Sequence, residues 1–219
     1  MTRNVYDEAL SRLKQLVLDM GQRVEMAIDQ SIRALANRDK ALAERVIARD
    51  PEIDRLQWDV EKAVSMLIAT QQPVARDLRR ILSTLLIASD LERMGDLALN
   101  IALVAKEFVE ENLVLFKPLE DLSRLAQQVQ EMVHLCINSC IDENPAFAYR
   151  VGEMDDAVDV AYRGLVEELI GFLASEGQYI KERTRLAFVC RYLERIADHA
   201  TNIAERVVYI VEGKVPDLN

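Results

Sequence analysis

The feature that most constrains the fold is an internal repeat. The stretch DLERMGDLALNIA begins at Asp90, and YLERIADHATNIA begins at Tyr192, an offset of 102 residues. Leu, Glu, Arg, Asp, Asn, Ile and Ala recur at matching places in both. A second match lies upstream, where DPEID at Asp50 corresponds to DDAVD at Asp155 with an offset of 105. A chain duplicated on this scale predicts two similar structural units.

Apolar residues in both halves follow the i, i+3, i+4 spacing of amphipathic helices. The chain of 219 residues is 50% hydrophobic and has only 7 glycines and 5 prolines, a profile of long helices and not of sandwiches or barrels. We predict an all-α protein with helices at about residues 3–36, 40–72, 74–111, 119–143, 145–177 and 179–212.

Polar or helix-breaking residues mark the helix ends. Asp39 and Asn144 are predicted N-caps of the second and fifth helices, with Pro145 at the first helical position of the fifth. Pro73 ends the second helix because proline disfavours helical geometry in the residue before it. Gly177 is the predicted stop of the fifth helix.

Three helices followed by three helices predict two tandem three-helix bundles related by duplication. A long one-sided helix is unstable alone and buries its apolar stripe against two neighbours in a bundle. We therefore expect a first bundle at residues 1–112 and a second at residues 113–219.

Charge and composition exclude several functional classes. The formal net charge of -10 argues against a general nucleic-acid or anionic-membrane binder, which must neutralise phosphates. The chain opens without a signal peptide, and its longest uncharged runs are about half of the roughly 20 residues of a membrane span, so we expect a soluble, intracellular protein. An odd number of cysteines, Cys136, Cys140 and Cys190, predicts reduced and mostly buried thiols.

The repeated positions share one chemical property, which is paired acidic residues four apart. The pairs are Asp50 with Asp54, Glu92 with Asp96, Asp155 with Asp159, and Glu194 with Asp198. On a helix, residues four apart lie on one face about 6 Å apart at Cβ, so two carboxylates repel unless a cation lies between them. Six such pairs occur in the chain, about the number that chance predicts, but these four fall at equivalent positions of the repeat.

We therefore predict two metal sites, each built from four carboxylates. If the second and third helices of each bundle are antiparallel, their acidic pairs face each other. All-oxygen ligation suits iron, manganese, magnesium or calcium, whereas zinc is less favoured without cysteine or histidine. In the alternative interpretation the acids are solvated and the protein is a metal-free helical adaptor.

The doubled LERxxD motif followed by NIA, with DxxxD upstream and QQPVARDLR between, resembles the PhoU family over nearly the whole chain. The resemblance implies two three-helix bundles that carry multinuclear iron or zinc clusters on the eight acidic residues. It also implies a cytoplasmic negative regulator of phosphate uptake that contacts the phosphate ABC transporter ATPase and a sensor histidine kinase. A homodimer is left open.

Two departures from symmetry lie near the predicted sites. The second half lacks the QPVARDLR phrase, and Glu205 has Leu103 as its counterpart in the first half. The two metal sites are therefore not expected to be identical in nuclearity or affinity.

Other motifs indicate structure and not catalysis. EMVH at Glu131 is an E-x-x-H motif, which a di-iron oxidase of the ferritin-like kind uses twice. The motif occurs once here, and with only two histidines, His134 and His199, the chain cannot supply both copies. We expect His134 on a helix face and His199 on an exposed face, with a supporting role beside the ligand candidate Asp198 as the alternative for His199. We expect no enzyme activity because no nucleophile or phosphate-loop motif occurs. The predicted core or interface aromatic residues are Trp58, Phe108 and Phe116.

Overall fold

In a computed structural model, residues 3–115, 120–176 and 179–218 form an all-helical protein, with no strand in these ranges. The six helices are α1 (Arg3–Asn37), α2 (Lys40–Gln71), α3 (Ala75–Glu110), α4 (Glu120–Asp142), α5 (Pro145–Glu176) and α6 (Ile180–Glu212). All six predicted helices are confirmed, and no helix end is shifted by more than one residue. None of these helices is long and apolar enough to cross a membrane.

The predicted caps act through local hydrogen bonds. The Asp39 side chain accepts a bond from the backbone N–H of Leu42 at 2.9 Å, and the Asn144 side chain accepts one from Ala146 at 3.0 Å. Gln72, immediately before Pro73, adopts a left-handed backbone with φ 47°, which ends α2. Gly177, the predicted stop of α5, lies outside the described residues.

The helices pack as the repeat predicts, with additional contacts between the halves. Helix α1 packs on α2 and α3, and α4 packs on α5 and α6. Across the halves, α3 packs on α6 and α1 on α4, so one hydrophobic core runs through both bundles. The boundary between residues 112 and 113 stays a prediction.

Ion pairs join the halves at both ends of the α3–α6 contact. At one end, Arg76 and Arg80 of α3 donate to Glu143 between α4 and α5, at 2.9 and 2.8 Å. At the other, Arg185 of α6 donates to Glu107 of α3 at 2.9 Å. Two of the three arginines of RDLRR, Arg76 and Arg80, therefore pair with an acidic residue of the other half.

Several expectations about single residues are corrected or confirmed. Phe108 is fully buried, but Trp58 is 71% exposed on α2 and is no core residue. Phe116 lies outside the described residues. Cys136, Cys140 and Cys190 are free thiols, two of them buried and Cys140 half-buried.

Candidate metal centres

The first cluster of carboxylates lies between α2 and α3. Asp50 and Asp54 project from α2, and Glu92 and Asp96 from α3, close enough to repel one another electrostatically. Burial and the charges of Asp54 and Asp96 raise the pKa of Asp50 to about 6. The pKa of Glu92 is also raised, by burial and then by Asp96, Asp54 and Asp50. The predicted meeting of the two acidic pairs is thus observed.

Gly95 allows α2 to approach α3 beside this cluster. A Cβ atom at Gly95 would lie 3.0 Å from Cδ1 of Ile53 and 3.9 Å from Oδ1 of Asp50. In the second repeat Ala197 replaces Gly95, and the smaller Val158 replaces Ile53. The repeat therefore keeps the total side-chain volume between the helices similar.

The second cluster repeats this arrangement between α5 and α6. Asp155 and Asp159 project from α5, and Glu194 and Asp198 from α6. Burial and the charge of Asp198 raise the pKa of Asp155 to about 6, although Thr201 donates a hydrogen bond to it. Burial followed by the charges of Asp198 and Asp159 raises the pKa of Glu194. All eight predicted acids therefore lie in two groups of four.

A surface groove leads to the first cluster from the side of α1. It has a volume of about 550 Å³ and lies between α1 and α2, and its lining includes Asp50 and Ile53 of α2 and Gly95 of α3. Arg23 of α1 forms an ion pair with Glu52 across it. Solvent and ions can thus reach Asp50 without passing through the core.

Comparison with known proteins identifies the family. A family model described as "PhoU domain" matches twice, over residues 17–105 and 122–207. A phosphate-specific transport system accessory protein PhoU homolog from Clostridium acetobutylicum is 36% identical over 220 residues, covering 100% of both chains. The chain belongs to the PhoU family.

Two crystal structures of PhoU proteins share the fold. PhoU from Pseudomonas aeruginosa superposes with a TM-score of 0.91 at 31% identity, covering 95% of this chain and 100% of that one. The phosphate transport system regulatory protein PhoU from Streptococcus pneumoniae gives a TM-score of 0.89 at 31% identity, covering 97% and 99%. Each PhoU domain match contains one of the two carboxylate clusters.

The two clusters of this PhoU-family chain differ in their neighbours. In the second, Thr201 donates to Oδ1 of Asp155 at 3.3 Å, and Arg191 forms an ion pair with Glu194. Arg163 lies 3.5 Å from Asp159 on the exposed side of α5. These three compensating neighbours lie outside the repeated acidic positions, so the spacing of the acids does not reveal them.

The first cluster lacks the equivalent groups. Leu99, Ser89 and Trp58 stand where the second half has Thr201, Arg191 and Arg163. Among the described residues, no basic side chain lies within 4.0 Å of a first-cluster carboxylate oxygen. An alignment of the two halves shows that these residue types differ, but only the packing shows which carboxylate each of them contacts.

The donor set suits a hard cation, although the carboxylates are not arranged around one. Within residues 3–115, 120–176 and 179–218, no three acidic, histidine or cysteine side chains already converge as ligands. Glu194 is only 8% exposed, and its Oε2 atom is buried without a hydrogen-bond partner. Such an orphaned carboxylate oxygen fits a cation that draws rotated side chains together. The metal role of the eight residues stays a prediction.

Neither histidine joins a cluster. Nδ1 of His134 lies 2.8 Å from Glu25, and its other ring nitrogen lies 2.9 Å from Asn138. His199, expected to be exposed, is instead mostly buried with Nδ1 2.9 Å from Asp90 at the α3–α6 contact. Glu205, whose counterpart is Leu103, accepts the backbone N–H of Leu218 at 3.0 Å and so holds the C-terminal segment.

Proposed function

We propose that this chain is a metal-binding, cytoplasmic negative regulator of phosphate uptake and phosphate-starvation signalling. In this role it contacts the phosphate ABC transporter ATPase and a sensor histidine kinase, and it catalyses no reaction. Membership of the PhoU family supports the link to phosphate transport, because its relatives carry names such as phosphate-specific transport system accessory protein. The paired carboxylate clusters are the observation that supports metal binding.

The electrostatic cost of the clusters is the physical reason for including a metal. In each cluster, burial followed by the neighbouring charges raises the pKa values of three carboxylates, which are Asp50, Glu92 and Asp96 in the first cluster and Asp155, Glu194 and Asp198 in the second. Full ionisation of a cluster therefore destabilises the fold. Bound cations offset that repulsion, and iron or zinc are the metals that the family resemblance implies. Manganese, magnesium and calcium share the preference for oxygen ligands.

Elemental analysis tests whether the protein binds metal at the first cluster. Protein purified without chelator should carry metal, and Asp54→Ala/Asp96→Ala should lose the share held by the first cluster. The double variant Glu25→Ala/Asp29→Ala removes an acidic pair with the same spacing that has no counterpart in the other half, and it should keep the metal. Equal metal content in both double variants would reject the first site.

Gene deletion tests the regulatory role. Cells that lack the gene should express phosphate-starvation genes even when phosphate is plentiful, and the wild-type gene should restore repression. Affinity purification of the tagged protein should retain the transporter ATPase. Unchanged expression in the deletion strain would contradict negative regulation, whatever the metal content.

A metal-free helical adaptor is the second candidate. The absence of converging ligands among the described residues favours it. The two candidates differ in one measurable property, because a cation should raise the melting temperature only of a metal-binding protein. An oxidase is disfavoured for two reasons. Both histidines contact residues outside the clusters, and the E-x-x-H motif that a di-iron oxidase uses twice occurs once in the sequence.

A further inference from the structure

Arg191 lies beside the second cluster at the position where the first half has Ser89. We propose that Arg191 is a built-in counter-ion that competes with divalent cations, so that the first cluster binds cations more tightly than the second. The inference rests on the proposed metal binding and adds a residue that sets the difference between the sites.

The contact that carries the proposal is the ion pair between Arg191 and Glu194. One carboxylate oxygen of Glu194, Oε1, accepts from Nη1 of Arg191, while the other, Oε2, is buried without a partner. The Glu194 side chain is 11% exposed and that of Arg191 is 49% exposed. A pair so largely removed from water on one side interacts more strongly than a fully exposed pair.

The positive charge of Arg191 extends to a second ligand candidate. Burial raises the pKa of Asp198, and Arg191 is the strongest of the neighbouring charges that oppose this effect. The direct contact of Arg191 is its ion pair with Glu194, and at Asp198 its charge acts without a contact. Arg195 and its first-half counterpart Arg93 also lower acidic pKa values, but they occur in both halves and cancel in the comparison.

Arg163 is a weaker contributor. Its pair with Asp159 spans 3.5 Å, and the side chains are 64% and 43% exposed. An exposed pair of residues four apart on one helix contributes only a few tenths of a kcal/mol, because water screens it. Arg191 is therefore the residue whose substitution should matter.

A cation and the Arg191 guanidinium cannot both neutralise Glu194 without repelling each other. Cation binding therefore requires Arg191 to release Glu194 and turn into solvent, which its half-exposed side chain permits. The free energy needed to break this pair makes the free energy of cation binding at the second cluster less favourable. The first cluster, with Ser89, carries no such cost.

The test uses full-length protein with one intact cluster at a time. Asp54→Ala/Asp96→Ala leaves the second cluster, and Asp159→Ala/Asp198→Ala leaves the first. Mn²⁺ affinity is measured by calorimetric titration of chelator-treated protein, with Zn²⁺ in parallel. We expect Arg191→Ser to tighten binding to the second cluster roughly tenfold, and Ser89→Arg to weaken binding to the first by a similar factor.

Controls separate the charge of Arg191 from its packing. Arg191→Lys should leave the Mn²⁺ affinity near that of the parent. Arg195 forms no ion pair with Glu194, so Arg195→Ser should change the Mn²⁺ affinity less than Arg191→Ser does. Without metal, Arg191→Ser should lower the melting temperature. Addition of Mn²⁺ should then raise the melting temperature of the Arg191→Ser variant by more than it raises that of the parent. A purely structural role would lower stability without tightening Mn²⁺ binding.

The outcomes distinguish the two proposals. If both single-cluster proteins bind Mn²⁺ or Zn²⁺ but the two swaps leave affinity unchanged, the role of Arg191 is overturned and metal binding stands. If the wild-type protein binds neither cation, metal binding fails and this inference fails with it. Circular dichroism of each variant confirms that its helices are retained.

Discussion

The two carboxylate clusters have the same acidic residues but different surroundings. In the first, Asp50, Asp54, Glu92 and Asp96 lie near one another between α2 and α3, and leucine, serine and tryptophan stand where the second half has Thr201, Arg191 and Arg163. In the second, Thr201 donates to Asp155, and arginines pair with Glu194 and Asp159. Duplication preserved the ligand candidates while the compensating groups diverged, so sites with identical motifs need not have identical electrostatics.

The largest expected effect comes from removing the most strongly perturbed carboxylate of each cluster. Asp50 and Asp155 each have a folded-state pKa of about 6, above the ordinary value of 3.8. The folded protein holds these protons more tightly, so their contribution to stability is present below pH 3.8 and is lost as the pH rises through 6. At pH 7, Asp50→Asn or Asp155→Asn should stabilise the metal-free protein by about 1 to 2 kcal/mol after allowing for solvent screening.

Urea denaturation at pH 4.5 and pH 7.5 measures this effect. Asp50→Asn should gain more than Asp155→Asn, because Thr201 already stabilises ionised Asp155. Asp59→Asn, on an exposed part of α2, should change stability little at either pH. Equal gains from all three variants would show that general charge reduction, and not the clusters, is responsible.

The next effect concerns how closely the helices approach beside each cluster. Gly95→Ala places a Cβ atom 3.0 Å from Cδ1 of Ile53 and should destabilise the first bundle by about 1.5 kcal/mol at most, because the end of the Ile53 side chain can shift. Ile53→Val, which copies Val158 of the second repeat, should relieve part of that cost. The free energies of unfolding of the two single variants and the double variant form a double-mutant cycle. Strictly additive effects would argue against a shared volume constraint.

A smaller effect should follow loss of the Thr201 hydroxyl. Thr201 is fully buried, and its hydroxyl lies 3.3 Å from Asp155 and 3.2 Å from the carbonyl of Ala197. Thr201→Val should cost about 1 kcal/mol at pH 7.5. The cost should shrink at pH 4.5, where a larger fraction of Asp155 is protonated, and a pH-independent loss would instead indicate that the Ala197 contact dominates.

The smallest effect is expected at the exposed pair of equivalent positions, Trp58 and Arg163. Trp58 is 71% exposed, and Arg163 makes a solvent-screened pair with Asp159. Trp58→Arg and Arg163→Trp should each change the free energy of unfolding by no more than about 0.5 kcal/mol. A larger loss of unfolding free energy in Trp58→Arg, growing with protein concentration, would indicate that Trp58 lies in an interface between copies of the chain. Sedimentation would detect such an assembly.

Residues that act locally were predictable in detail. The periodicity of apolar residues located all six helices, and Asp39 and Asn144 cap the helices for which they were proposed. Pairing within a cluster was predictable because equivalent motifs on adjacent antiparallel helices meet. His199 was mispredicted, because its burial depends on a neighbouring helix and not on its own. Trp58 is not in the core, whereas its place in an interface stays a prediction.

The sequence by itself therefore determined the helices, the duplication and the eight acids that meet in two groups, because helical periodicity and local capping act within one segment. Only the tertiary structure decided that α3 and α6 join both bundles through one core, and that Arg191 and Thr201 compensate one cluster alone. Burial and electrostatic repulsion depend on which side chains other helices bring within a few ångströms, a property that no single segment contains.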